Sequence, residues 1–205
     1  MKALFLTFHG FHATNGISKK IHYQVRALEA NGVETHLCYL SEKQGIKYRM
    51  LDQEILADYG DGIKGKLYKR FEFNSVFRYI IKKQIDLVYI RSDHNANPFT
   101  IRLVSKIKKA GIHVVMEIPT YPYDQEYILS KGKIQLLIDK CFRKQLAKYL
   151  DRIITFSNYK TIFGIPTLQI SNGIDFKDIP VKQEANDFTR NSFNRGRRDS
   201  LLARI

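Results

Sequence analysis

Residues 86–118, DLVYIRSDHNANPFTIRLVSKIKKAGIHVVMEI, hold two short apolar runs separated by an amphipathic stretch. Asp86–Arg91 and His113–Ile118 have strand length and near-continuous apolar character, so both read as buried strands. Between them Phe99, Leu103, Val104 and Ile107 recur at helical spacing, with Pro98 placed for the first turn and Gly111 for the stop. A strand, a helix and a strand in that order make a parallel crossover.

The alternation continues in both directions. Ala3–Phe8 reads as a first buried strand, followed by a polar loop from His9 to Gly16. Ile17, Ile21, Val25 and Leu28 then mark a helix that Asn31-Gly32 stops, and Val33–Leu40 reads as a second strand. Ser41–Arg70 is polar, Gly-containing and without a clean period; it reads as a variable connection with a short helix at most. Phe73, Val76, Phe77, Ile80 and Ile81 mark another helix. Beyond residue 118, Ile134, Leu137, Ile138, Cys141, Phe142, Leu146 and Tyr149 form the apolar stripe of a long helix. Arg152–Phe156 supplies a fifth strand and Leu168–Ile170 a short sixth. The expected fold is α/β, a Rossmann-like doubly wound parallel sheet over residues 1–180. Residues 181–205 carry five arginines between Arg190 and Arg204 and no lysine after Lys182. They read as a basic irregular tail, either disordered or a frameshifted or truncated end.

Composition narrows the partners. The chain has 205 residues, 44% hydrophobic and 26% charged, ordinary for a globular domain. No apolar run approaches the roughly 18–20 residues of a membrane span. The start, Met1 to His9, is too short for a signal sequence, which points to the cytoplasm. Cys38 and Cys141 sit in apolar segments without partners at metal-ligand spacing, so they are expected in the core and no metal is expected. Lys and Arg number 34 against 20 acidic residues, a formal charge of +14. Such an excess calls for an anionic neighbour: nucleic acid, an acidic membrane or a phosphate-bearing substrate. No helix-turn-helix, RNP, KH or zinc pattern is present, which argues against nucleic acid.

In an open parallel sheet, ligands bind beyond the carboxyl ends of the strands. Four loops end there. Asn15-Gly16-Ile17 opens a helix, and Gly16 serves either a tight turn or the approach of a phosphate, with Lys19 and Lys20 adding charge. Arg91 to Asn97 is a polar run containing Asp93 and His94, either a site lining or a solvated loop. Glu117 ends a buried strand, where a lone carboxylate must be paired or face the crevice. After it, Tyr121, Tyr123 and Asp124 lie on a Pro-stiffened loop whose aromatic faces and hydroxyls suit a sugar. The fourth is Asn172-Gly173 with Asp175, a sharp exit from the sheet. The helix over residues 131–148 carries Lys131, Lys133, Lys140, Arg143, Lys144 and Lys148, either a solvated face or a seat on an anionic membrane.

In order and spacing, the Asn15-Gly16-Ile17 entry, DLVYIR at 86–91, VVMEIPTYPYD at 114–124, RIITFSN at 152–158 and ISNGID at 170–175 resemble one family. It is the retaining glycosyltransferases of GT-B fold, family 4 type, from bacterial polysaccharide assembly. The resemblance covers residues 1–180 and implies the acceptor-side domain of a hexosyltransferase. Its implied partners are a glycan or lipid-linked acceptor and a nucleotide sugar as co-substrate, with no other cofactor and an inner membrane face nearby. By the same resemblance Asn15, Gly16 and Ile17 would face the donor diphosphate, and Arg91, Asp93, Tyr121, Tyr123 and Asp124 the acceptor. Asn172, Gly173 and Asp175 would mark the passage to a second, donor-binding domain. Glu117 stands where relatives carry a histidine near the reacting sugar. The second domain and its glutamate pair do not occur in this sequence, so the chain is expected to be inactive alone and to self-associate through its uncovered face. A free-standing phospholigand- or nucleotide-binding module is the alternative reading.

Overall fold

The order of strands along the sheet is β4-β3-β2-β1-β5-β6-β7-β9-β8. The strands are β1 (Lys2–Gly10), β2 (Glu34–Lys43), β3 (Ile46–Leu51), β4 (Glu54–Gly60), β5 (Leu87–Arg91), β6 (His113–Glu117), β7 (Arg152–Thr155), β8 (Thr161–Ile162) and β9 (Ile165–Gln169). Between them run α1 (Gly16–Ala30), α2 (Gly62–Phe71), α3 (Asn74–Lys83), α4 (Pro98–Lys109) and α5 (Ser130–Ala147). The computed structural model describes residues 1–11, 15–91, 96–124 and 130–171, without the side chains of 130 and 131. Residues 1–174 form one compact unit. The tail over 181–205 lies outside the described residues.

The six strands β2, β1, β5, β6, β7 and β9 are mutually parallel. The chain leaves β1 to one side for β2 and returns to the other side for β5, which places the switch point between β1 and β5. The fold is therefore α/β and Rossmann-like. Period-2 alternation divides the core: Phe5, Leu37, Tyr89 and Ile154 meet Ile21 and Val25 of α1 on one face. Leu4, Leu6, Val88, Ile90, Val114 and Met116 face the opposite side, with Val76 and Ile80 of α3, Val104 and Ile107 of α4 and Leu146 of α5.

Three expectations change. Ser41–Arg70 is an ordered antiparallel extension, β2 to β3 to β4, closed by α2. Its turns place Gln44-Gly45 (φ 50° and 82°) and Asp52 (φ 52°) in the left-handed region, and the second turn has no glycine to announce a hairpin. The short sixth strand is β9, which begins at Ile165 and carries the hairpin strand β8 outside it. The long helix α5 is rotated from the expected orientation. Ile134, Leu137 and Ile138 are exposed and so is Cys141, whereas Leu146 and the carboxylate-bearing Asp139 are buried. Polar bonds of Asp139, described below, set that rotation. Cys38 is in the core as expected, and burial pushes its thiol up to about 11.

At the opposite, amino end of the parallel strands, Asp151 accepts from Lys108 of α4 and from the Val114 backbone N–H of β6. Burial alone would raise its carboxyl, but those two bonds outweigh it and hold the group below the usual carboxylate range. A depressed folded value contributes stability above the unfolded pKa and loses it as pH falls through the folded one. Stability is therefore expected to fall with acidification below about pH 4. Asp151→Asn should flatten that limb in thermal melts taken across the acid range.

Candidate functional site

Arg91 and Glu117 stand directly opposite each other at the ends of β5 and β6. Both point to the α1 face, as does Tyr89 two residues before Arg91. From α1, Lys20 and Gln24, one turn apart, reach down onto them. Glu117 is fully buried and its carboxylate is saturated. Tyr89 Oη donates to Oε2 at 2.6 Å, Gln24 Nε2 at 3.0 Å, Arg91 Nη1 to Oε1 at 2.8 Å, and Lys20 Nζ lies 3.5 Å from Oε1. Lys20 also sits over the Phe156 ring at 3.4 Å from its centroid. Burial lowers the Lys20 pKa, partly opposed by Glu117. Burial, with Glu117 beside it, raises the Tyr89 hydroxyl. The cluster holds two cations against one carboxylate at the carboxyl edge of the sheet.

The start of α1 lies above it. Asn15 Oδ1 accepts the Ile17 N–H at 2.9 Å, so that first-turn donor is already engaged. Gly16 is not in the left-handed region, and a Cβ there would meet nothing within 4 Å. The fold itself does not demand glycine at this position.

A second polar cluster carries the loop after β6. Tyr123 is buried, and its hydroxyl donates to Asp139 Oδ2 at 2.7 Å. Asp139 also accepts from Arg143 and from the Ala96 backbone N–H, the latter at 2.8 Å. Arg143 Nη2 reaches Asp124 at 2.6 Å, and its guanidinium lies 4.8 Å from the Tyr123 ring centre. Arg143, expected on a basic face, is thus mostly enclosed. The Arg143 bond, with Lys140 helping, holds the Asp124 carboxyl low. Tyr121 packs edge-on against Tyr123, Tyr159 and Phe163, and its N–H donates to Ser157 Oγ.

A cavity of about 290 Å³ opens on the α4 side of the switch point. Phe8 at the end of β1, Leu40 of β2, Phe73, Phe99 and Ile138 make its apolar wall, and Lys69 and Arg70 of α2 its cationic one. Asn97 Oδ1 takes the N–H groups of Phe99 and Thr100, so the start of α4 is capped and the lysine and arginine carry the positive charge. Burial lowers the Lys69 pKa, Glu42 opposes it, and Lys47, Arg70 and Arg49 lower it further. Arg49 lies fully buried behind two cavity rings, 5.5 Å from the Phe8 centroid and 5.9 Å from that of Phe73. Its Nη1 donates to the Thr7 carbonyl at 3.0 Å, and its Nη2 has no partner. Among the described residues no acidic side chain pairs with it.

The structure therefore brings Arg91 to Glu117 and Tyr123 to Asp124 through Arg143, in two separate networks. Asp93, His94, Asn172, Gly173 and Asp175 lie outside the described residues. Sequence reasoning missed Gln24, Tyr89, Asp139 and the cavity cations Lys69 and Arg70. A charged Asp139 inside an otherwise apolar stripe, four residues before Arg143, was the available signal for the second network. No cluster of three or more His, Cys, Asp or Glu placed to hold a metal occurs among the described residues. No helix among them is long and apolar enough to cross a membrane.

No family model matches the chain, and no curated protein matches it in sequence. Among solved structures it is similar to the UDP-GlcNAc 2-epimerase from Methanocaldococcus jannaschii, at 11% identity and a TM-score of 0.42, over 76% of this chain and 39% of that one. MnaA of S. aureus, solved with UDP, is similar at 12% identity and 0.42, over 76% and 38%. A secreted C11 cysteine protease from Bacteroides thetaiotaomicron is similar at 11% and 0.36, over 73% and 47%. The chain spans about two fifths of the length of the first two, 39% and 38%. Likeness at this level, shared by an epimerase and a protease, concerns the arrangement of strands and helices and carries no chemistry.

Proposed function

We propose that this domain is the acceptor-side half of a nucleotide-sugar-dependent hexosyltransferase, and that the cavity at its switch point takes a phosphate-linked lipid or glycan acceptor. One observation supports this reading above the rest. The cavity joins an aromatic and aliphatic wall to Lys69 and Arg70 at the sheet edge where such folds bind ligands. An isoprenoid or sugar body fits the first lining and a phosphate the second. Arg49 behind Phe8 and Phe73, bonded to the Thr7 carbonyl and the Tyr59 hydroxyl but to no carboxylate among the described residues, adds positive potential. Glu117 enters as the residue that positions Lys20 and Arg91 beneath the α1 start. The open space over Gly16 is where a donor diphosphate would approach.

Farnesyl diphosphate is a soluble probe with both features. Calorimetric titration of the full chain is expected to show binding that weakens at least about a hundredfold in Lys69→Ala/Arg70→Ala, since two charge-assisted contacts of about 1.5–3 kcal/mol each are removed. Both side chains border solvent, so folding should be unchanged. Equal binding by the variant, or none by the parent, would sink this reading.

A further inference from the structure

A helix on a globular domain ordinarily turns its apolar side inward. Here α2 does the reverse, and α5, which packs Leu136, Phe142 and Leu146 on the core, presents a second apolar row outward. In α2 the sole buried residue is Gly65, whose missing side chain lets the helix lie on the backbone of Gly60; a Cβ would come 2.3 Å from that carbonyl oxygen. Its apolar residues Ile63, Leu67 and Phe71, spaced four apart on one face, point outward with Tyr68 beside them. Ile63 is 76% and Leu67 52% exposed. Interleaved are Lys64, Lys66, Lys69 and Arg70, and the helix has no acidic residue. In α5 the outward row is Ile134, Leu137, Ile138 and Cys141, with Ile134 64% and Leu137 63% exposed. Exposed lysines at 133, 140 and 144 flank that row. Phe99 bridges toward α2, its ring 5.7 Å from that of Phe71. The cavity lies between the two helices, since Lys69 and Arg70 of α2 and Gln135 and Ile138 of α5 both line it.

We infer that the outward faces of α2 and α5 together form a docking surface for an anionic lipid bilayer. Apolar side chains of this length reach into the acyl boundary while the lysine stems extend to the headgroups. Charge selects the occupant. A second copy of this chain would bring the same four cations of α2 against themselves. Segment 181–205 of the chain is itself basic, with six Lys and Arg against three acidic residues, and does not complement the face. Asp124, the acidic residue beside α5, is engaged by Lys140 and Arg143. Anionic lipid supplies the missing negative charge and an apolar phase at once. This inference stands on the two helix faces and is independent of what the cavity binds.

The chain contains no tryptophan, so a single introduced one reports its own surroundings. Sedimentation with equimolar phosphatidylcholine–phosphatidylglycerol vesicles should carry the protein down, and pure phosphatidylcholine should not. Lys64→Glu/Lys66→Glu is expected to weaken binding at least about tenfold, as each basic residue near the surface contributes about 1 kcal/mol. Ile63→Trp emission should shift to the blue on the mixed vesicles, and Leu168→Trp emission should not. All four positions are solvent-exposed, and circular dichroism checks that the variants fold. No binding to the mixed vesicles, an unaffected charge-reversal variant, or an unshifted Ile63→Trp spectrum would each overturn the inference. Vesicle binding without farnesyl diphosphate binding would leave this surface standing and remove the acceptor reading; the opposite pair of results would do the reverse.

Discussion

Glu117→Ala is expected to cost about 3–5 kcal/mol of folding stability, because it strips the partner from buried charge while leaving that charge in place. Arg91 and Lys20 would remain under α1 without a carboxylate, and the Tyr89 hydroxyl would lose its 2.6 Å acceptor. Urea denaturation should show the midpoint falling with little change in slope. Glu117→Gln keeps a single acceptor oxygen, enough for Tyr89 or for Arg91 but not for both, and should cost less than the alanine variant while remaining destabilising. The diagnostic comparison is a double-mutant cycle. In an Arg91→Met background the alanine substitution should cost at least about 1 kcal/mol less, because one of the stranded cations has already gone. A loss below about 1 kcal/mol for the single variant would mean that water reaches the carboxylate, against its complete burial.

The second large effect is at Asp139. Its carboxylate joins three segments that are distant in sequence: the Ala96 N–H before α4, Tyr123 after β6, and Arg143 one turn along α5. Asp139→Ala leaves two buried donors unsatisfied at about 1–3 kcal/mol each. A total loss of about 3 kcal/mol is expected, comparable with breaking a buried ion pair. Two readouts separate this from generic destabilisation. Amide exchange at Ala96 should accelerate more than exchange in β1 or β5, since the bond removed is local. Farnesyl diphosphate affinity should also fall, because Ala96, Gln135 and Ile138 all line the cavity. Uniform acceleration across the sheet would mean that Asp139 supports overall stability without fixing α5 against the cavity.

Much of this architecture was legible in the sequence. Buried parallel strands are written as continuous apolar runs, and DLVYIR at 86–91 and HVVMEI at 113–118 were found within a residue of β5 and β6. Helices α1 and α4 announced themselves by apolar period, and α4 also by Pro98 in its first turn; the capping bonds of Asn15 and Asn97 emerge only in the structure. The edge of the sheet was not legible. In β3, Lys47 and Arg49 occupy buried positions, so no apolar alternation marks that strand. The orientation of α5 failed for a related reason. An apolar stripe indicates which side wants burial, but the bonds of Asp139 decide which side receives it, and those come from residues 96 and 123. Site residues followed the same division. Strand-end positions such as Arg91 and Glu117 could be named because the carboxyl edge is where ligands bind. Lys69 and Arg70 could not, since they reach the cavity only through the antiparallel extension that places α2.

The most direct test of the acceptor reading is amide chemical-shift mapping of the full chain during titration with farnesyl diphosphate. The largest shifts are expected at Phe8, Leu40, Lys69, Arg70, Phe73 and the Ala96–Thr100 segment, which surround the cavity. Shifts concentrated instead at Gly16 and Ile17, with the cavity amides unmoved, would contradict it and give the phosphate to the start of α1.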